Sequence, residues 1–178
     1  MFVIKVAAAA CHDGFELAEV VRVTNKACSN TRTMGVALAL GFISGETVAT
    51  FELAEDELEI GMGLHGEPGV RWGKMKSAKD VVDEILDLII DVLPFLPGDE
   101  VCLLVNGYGA TTRMELLICL NCALKTLAVR KLKVHHSLIG NLATCQEMAG
   151  VFLSLMKLDS ELKVYYHRPG RCPALTMV

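Results

Sequence analysis

After Gly14, apolar residues recur at helical spacing: Leu17, Val20, Val21, Thr24 and Ala27 or Cys28 predict a helix over residues 15–29. The apolar run over residues 34–42, interrupted by Gly35, predicts a strand. Gly45 and Glu46 turn it into a second strand over residues 48–53. Leu58, Ile60, Met62 and Leu64 alternate with polar or small residues, which predicts a strand ending in a glycine-rich turn at the sheet's edge. Ser77-Ala-Lys-Asp80 resembles a capping box, and Val81, Ile85, Leu88 and Val92 continue as a helix until Pro94. Val101-Cys-Leu-Leu-Val105 is a fully apolar strand, and Thr112 with Glu115 opens a helix to about residue 129. Strands follow near residues 132–139 and 151–157, with a helical turn near Glu147 between them. Strands alternating with helices predict an α/β fold. The hairpin at Gly45 and Glu46 adds an antiparallel component, so the expected architecture is a mixed sheet flanked by helices.

Composition narrows the class. The 178 residues carry no repeat, low-complexity stretch or linker, and one domain over residues 1–178 is expected. A net charge of −4 gives no electrostatic footprint for nucleic acid, and aromatics at 6% give little base stacking. No apolar run is long enough to span a membrane, and no basic n-region precedes the N-terminal apolar stretch, so no secretory signal is expected. Seven cysteines at positions 11, 28, 102, 119, 122, 145 and 172 suit reduced thiols in a cytoplasmic protein's core.

Chemistry concentrates in Glu59-Ile-Gly-Met-Gly-Leu-His-Gly-Glu-Pro-Gly69. Four glycines in one loop carry an entropic cost that a plain connection does not require, and they leave His65 open to a ligand. Such an imidazole serves as nucleophile, base or metal ligand, and Glu67 stands in reach to fix its tautomer. Asn106-Gly-Tyr-Gly-Ala-Thr-Thr lies at a strand-to-helix junction where anions gather, but it lacks the P-loop lysine; a turn supporting the His65 loop is an equal reading. Cys119-Leu-Asn-Cys122 falls mid-helix, which favours packing over redox chemistry. His135 and His136 are expected on opposite faces of a strand, unable to share a metal, and His12 and His167 have no evident partners. The acidic run from Glu52 to Glu59 is expected to be a solvated edge, and no metal site is expected.

Taken in order, these motifs resemble the dihydroxyacetone (glycerone) kinase K-domain family. The residues that carry the resemblance are the His65 run, Asn30-Thr-Arg-Thr-Met-Gly-Val-Ala-Leu38, Gly98-Asp-Glu-Val, Leu104-Val-Asn-Gly-Tyr-Gly-Ala, Met114-Glu-Leu116 and the stretch ending Met148-Ala-Gly150. The chain departs from the family pattern at Ala39-Leu-Gly41 and at Thr144-Cys-Gln-Glu147. The resemblance is to the C-terminal half of a K domain and implies the fold of the second domain of the K subunit. It implies that His65 attacks the ketone carbon of dihydroxyacetone to form a hemiaminal, with Gly63, Gly66 and Glu67 around the triose. It places ATP, or ADP as phosphoryl carrier, with magnesium on a separate L domain, and no cofactor on this chain. It further implies a homodimer in the cytoplasm that is inactive without the N-terminal K half, which supplies acid/base groups, and without the L domain. The chain is then either a piece of a K polypeptide or one half of a split subunit. The alternative is a non-catalytic K-like protein that binds trioses or regulates, and a third reading is a metal-dependent hydrolase using His65 with Glu67.

Overall fold

Residues 101–105 offer no polar face, so the strand they form must be covered on both sides. The computed structural model, which describes residues 1–39, 41, 53–64, 67–145, 147–173 and 175–177, meets that requirement. Its elements in chain order are α1 (Phe2–His12), α2 (Leu17–Ser29), β1 (Thr31–Ala37), β2 (Glu57–Ile60), β3 (Arg71–Lys74), α3 (Ala78–Val92), β4 (Glu100–Gly107), α4 (Arg113–Val129), β5 (Lys133–Gly140), β6 (Gly150–Leu158), α5 (Ser160–His167), β7 (Gly170–Cys172) and β8 (Leu175–Met177). The main sheet runs β3-β2-β1-β6-β4-β5, and β7 and β8 form a separate two-stranded ribbon. Only β4 and β5 pair in parallel, joined through α4, while the other pairings of the main sheet are antiparallel. The sheet is therefore mixed, as expected, although the hairpin at Gly45 and Glu46 and the strand over residues 48–52 lie outside the described residues.

Side-chain alternation divides the core in two. Val101, Leu103 and Val105 of β4, with Val151, Leu153 and Leu155 of β6, meet Ile85, Leu86 and Ile89 of α3 and Leu116, Ala123 and Leu127 of α4. Cys102 and Leu104, with Met156 and Leu158, face the opposite way, toward α1, α2 and α5. Each fully buried leucine contributes about 1.5–3 kcal/mol by leaving water.

Helix α3 begins at Ser77, whose hydroxyl accepts from the Asp80 N–H and donates to the Asp80 carboxylate; that is a cap, without the reciprocal bond of a full box. Helix α4 has the full box: Thr112 Oγ1 accepts from Glu115 N–H, and the Glu115 carboxylate accepts from Thr112 N–H at 2.8 Å. In α2 the buried positions are Val23 and Ala27, whereas Leu17 and Val21 face solvent, so the predicted apolar face is rotated. The reason is tertiary, since α2 packs against α1, a helix that the alanine-rich start of the chain does not announce by periodicity. The last helix, α5, is capped by Asp159, which accepts from Leu162 N–H and pairs with Lys26 of α2 at 2.5 Å. Lys26 also reaches Glu161 at 2.5 Å, and Arg22 pairs with Glu161 as well. Hydrogen bonds from Arg22 and Lys26 hold the Glu161 carboxyl down to about 2.

Among the described residues no helix is long and apolar enough to cross a membrane.

Two stability outcomes follow from these local arrangements. Thr112→Ala removes the hydroxyl half of the α4 box, leaving the Thr112 N–H to the Glu115 carboxylate, and lowers stability by about 1 kcal/mol in a denaturant titration. Glu161→Gln lowers the melting temperature by about 1–3 °C near neutral pH. Because the folded carboxyl sits below its ordinary 4.5, its contribution is complete above that value and is lost as pH falls toward about 2. The difference between the two melting curves therefore shrinks across that window.

Candidate functional site

The alternation from Leu58 onward carries a strand only as far as Ile60. Gly61 adopts a φ of +89°, a conformation open to glycine, and leads the chain away from the strand. Met62 and Leu64 thus lie beyond β2, and the expected strand through residue 64 is shorter than its pattern. Residues 61–70 link β2 to β3, the edge strand that the sequence reading did not predict. The loop is consequently one strand in from the edge.

Its base is pinned on both arms. Gly61 N–H donates to Gly35 O at 2.7 Å and Val70 N–H to Ile60 O at 2.7 Å. Gly69 N–H donates to Glu59 Oε1 at 2.5 Å. Glu59 is only 2% exposed, which corrects the reading of the whole acidic run as a solvated edge. Its carboxylate is withdrawn from water to hold the returning arm of the loop, and a Cβ at Gly69 would press 2.6 Å from the Glu59 Cγ. Nearer the tip, Gly63 N–H donates to Glu67 O at 3.1 Å. A Cβ on Gly63 would run into the Glu67 carboxylate, so glycine is what allows this closure. The structure therefore brings Gly63 and Glu67 together. His65 and Gly66, which stand between them in sequence, lie outside the described residues, as does the expected bond from Glu67 to the His65 ring.

Two further loops converge on this one. Asn106, fully buried at the end of β4, accepts from the N–H groups of Leu142 and Ala143 at 2.8 and 3.0 Å and donates to Ala143 O at 2.7 Å. Tyr108 O accepts from Cys145 N–H at 2.6 Å, and Tyr108 Oη donates to Met62 O at 2.8 Å. The Cys145 thiol is pushed up first by burial and then by the negative charge of Glu67. Of the two readings open for residues 106–112, the geometry supports a turn that holds up the 61–70 loop. The α4 N-terminus is already engaged by its own Thr112 and Glu115. A cavity of about 320 Å³ opens here, lined by Met34, Gly35, Gly63, Leu64, Tyr108 and Phe152. The sequence marked Asn106 to Thr112 as a turn that supports the His65 loop or binds an anion, but the individual bonds of Glu59, Asn106 and Tyr108 rest on contacts between distant segments. For Glu59 a weak signal existed, a carboxylate beside the buried positions Leu58 and Ile60.

The remaining candidates separate from this site. His135 and His136 do not face opposite sides, because β5 carries a bulge: Val101 pairs with Val134 and Cys102 with His136, which leaves His135 as the extra residue. His135 Nε2 meets His167 Nε2 at 2.7 Å, giving His167 a partner, and His136 Nδ1 meets Tyr166 Oη at 2.7 Å. Burial, then the charges of His135 and His167, pushes His136 below the ordinary imidazole range. Cys119 and Cys122 are half-buried on α4, and burial raises the Cys119 thiol to about 11, which is unsuited to a redox thiolate. Cys102 is buried, but Cys11, Cys28 and Cys172 are exposed, so the thiols are not all core residues. His12 is exposed at the end of α1. Among the described residues, no group of three or more His, Cys, Asp or Glu is placed to hold a metal ion.

The same fold occurs in known proteins. The chain is 37% identical over 173 residues to the PTS-dependent dihydroxyacetone kinase 2, dihydroxyacetone-binding subunit DhaK, of Listeria innocua, covering 97% of this chain and 52% of that subunit. In solved structures it is similar to the dihydroxyacetone kinase operon co-activator Dha-DhaQ, with a TM-score of 0.87, 29% identity, and coverage of 94% of this chain and 52% of that one. It is also similar to the dihydroxyacetone kinase from C. freundii in complex with AMP-PNP and Mg2+, with a TM-score of 0.80, 28% identity, and coverage of 94% and 30%. The chain thus spans about half the length of the relative whose sequence it matches at 37%. A family model described as the Dak1 domain matches residues 1–174, and with the fold and the ordered motifs agreeing, the chain belongs to the Dak1 domain family.

Proposed function

We propose that this chain is the triose-holding C-terminal half of a dihydroxyacetone kinase K-type component, with residues 1–178 acting as one domain. The observation that carries the reading is the pinned base of the 61–70 loop, in which Gly63 and Glu67, the described residues on either side of His65 and Gly66 in sequence, close on each other. A nitrogen lone pair of His65 adds to the ketone carbon of dihydroxyacetone. The carbonyl π electrons pass to oxygen, which takes up a proton as the other ring nitrogen releases one, leaving a neutral hemiaminal. The adduct holds the triose with a hydroxyl presented for phosphorylation, and holding the reactants in place is where such a step gains rate. Gly63, Gly66 and Glu67 line the bound triose. A carbonyl requirement also discriminates against glycerol, which has none.

In this reading phosphoryl transfer belongs to a separate L domain, which carries ATP, or ADP as phosphoryl carrier, with magnesium. The N-terminal K half supplies acid/base groups, and the chain works in a cytoplasmic homodimer. The kinase assignment is supported by 37% identity to a dihydroxyacetone-binding subunit, and the regulatory role in the co-activator's name belongs to that protein.

Native mass spectrometry of the chain mixed with a separately expressed N-terminal K half tests the covalent role. Dihydroxyacetone gives a species heavier by one intact triose, glycerol gives none, and His65→Ala abolishes the adduct. Chelation leaves it unchanged, whereas a metal-dependent role for His65 and Glu67 predicts its loss. An adduct that survives in His65→Ala, or its absence from the reassembled wild-type protein, overturns the proposal.

A further inference from the structure

Tyr108 follows the end of β4, yet its ring does not stay with the β4–α4 turn. It crosses toward β1, with its hydroxyl lying over Gly35 and its ring beside Gly150. A Cβ on Gly35 would collide with the hydroxyl, and a Cβ on Gly150 would come within 2.5 Å of ring carbon Cδ2. The ring tilts against Phe152 with centroids 5.7 Å apart, and the side chain is 2% exposed. Two positions without side chains therefore keep open the path that Tyr108 takes.

The far end of that path is the carbonyl of Met62, which Tyr108 Oη reaches at 2.8 Å in a buried setting. Met62 stands between the pinned base of the loop at Gly61 and the Gly63–Glu67 closure. The main-chain bonds fix the two arms of the loop to β1 and β2, whereas Tyr108 fixes the outgoing arm to a different strand. Through its own carbonyl, Tyr108 holds Cys145 at the same time. One residue of the β4–α4 turn is thus bonded both to Met62 and to Cys145, in two separate loops.

We infer that Tyr108 is a positioning residue for the carbonyl-capturing loop, fixing through the Met62 carbonyl the stretch that leads in sequence to His65. This rests on the reading of His65 as the triose-capturing group. Burial raises the phenol above its ordinary range, so it is a protonated hydrogen-bond donor at neutral pH. Attack on a carbonyl is sensitive to placement, and a displacement of about 1 Å costs on the order of 100-fold. A tyrosine that only filled space would be replaced by phenylalanine without such a cost.

The test compares wild type, Tyr108→Phe, Gly35→Ala and the double variant, each mixed with the N-terminal K half. Tyr108→Phe keeps the ring and leaves the Met62 carbonyl buried without its donor. Amide hydrogen exchange over residues 62–67 accelerates about 10-fold while exchange in β4 and α4 is unchanged, and dihydroxyacetone adduct formation slows about 10- to 100-fold. Gly35→Ala displaces the hydroxyl from the β1 side and produces the same two effects. The double variant is no worse than either single one, because both act on one bond. Wild-type loop exchange and adduct rates in Tyr108→Phe overturn the inference. Should that variant fail to fold, Gly35→Ala decides by the same two readouts. If the wild-type protein forms no adduct, the His65 reading falls, and the exchange measurements still decide whether Tyr108 holds the loop.

Discussion

Strands β4 and β6 lie side by side in the middle of the sheet, and both must lose water from both faces. Val101, Leu103 and Val105 make one side of β4 apolar, and Cys102 and Leu104 make the centre of the other apolar, with the polar Asn106 only at its end. Two helical layers are the physical solution, because each helix offers one apolar stripe and hides its own backbone hydrogen bonds. Register follows as well, since a one-residue slip of β6 would exchange Leu153 and Leu155 with Ser154 and reverse both interfaces. Ser154 tolerates burial by bonding Thr33 at 2.7 Å. Once the centre is fixed, the carboxyl ends of β1, β4 and β5 and the start of β6 fall at one end of the sheet. The loops that hold Asn106, Tyr108 and Cys145 are drawn together there.

Much of this was legible from periodicity. Helices α3 and α4 start where Ser77 and Thr112 cap them, and α3 stops just before Pro94, because capping chemistry and ring sterics act within a few residues. What was not legible depends on distant partners. Helix α1 has an alanine run that suits a helix anywhere and signals no face, so only its contact with α2 and α5 shows which side is buried. Strand β3 has mostly exposed side chains and is held by main-chain pairing to β2, a bond pattern that no apolar alternation encodes. The bulge at His135 inverts a side-chain direction without changing any residue, so the simple alternation of a strand misplaced it.

The site divides in the same way. The glycine-rich run around His65 stood out because glycine density is a local property. The turn from Asn106 stood out for the same reason, but the buried bonds of Glu59, Asn106 and Tyr108 did not, since nothing near Glu59 in sequence says that its carboxylate will close a loop ten residues on. Buried polar groups of this kind are costly unless satisfied, and here each one is spent on a backbone amide or carbonyl of a loop. Their shared effect is to turn connecting segments, ordinarily the least constrained parts of an α/β fold, into fixed ones.

The glycines carry the complementary half of that constraint. Gly63, Gly69 and Gly150 each sit where a Cβ would strike a specific group: the Glu67 carboxylate, the Glu59 side chain, and the Tyr108 ring with the Val36 carbonyl. The loop is therefore defined both by the donors and acceptors that reach it and by the side chains that are missing from it. Glycine usually adds freedom to a loop. Here its use is steric, letting polar groups approach the backbone closely enough to remove that freedom. For a residue proposed to bond a small ketone reversibly, that economy is physically sensible. A triose offers too few atoms to organise its own site by induced fit, so orientation has to be built into the protein before the ligand arrives.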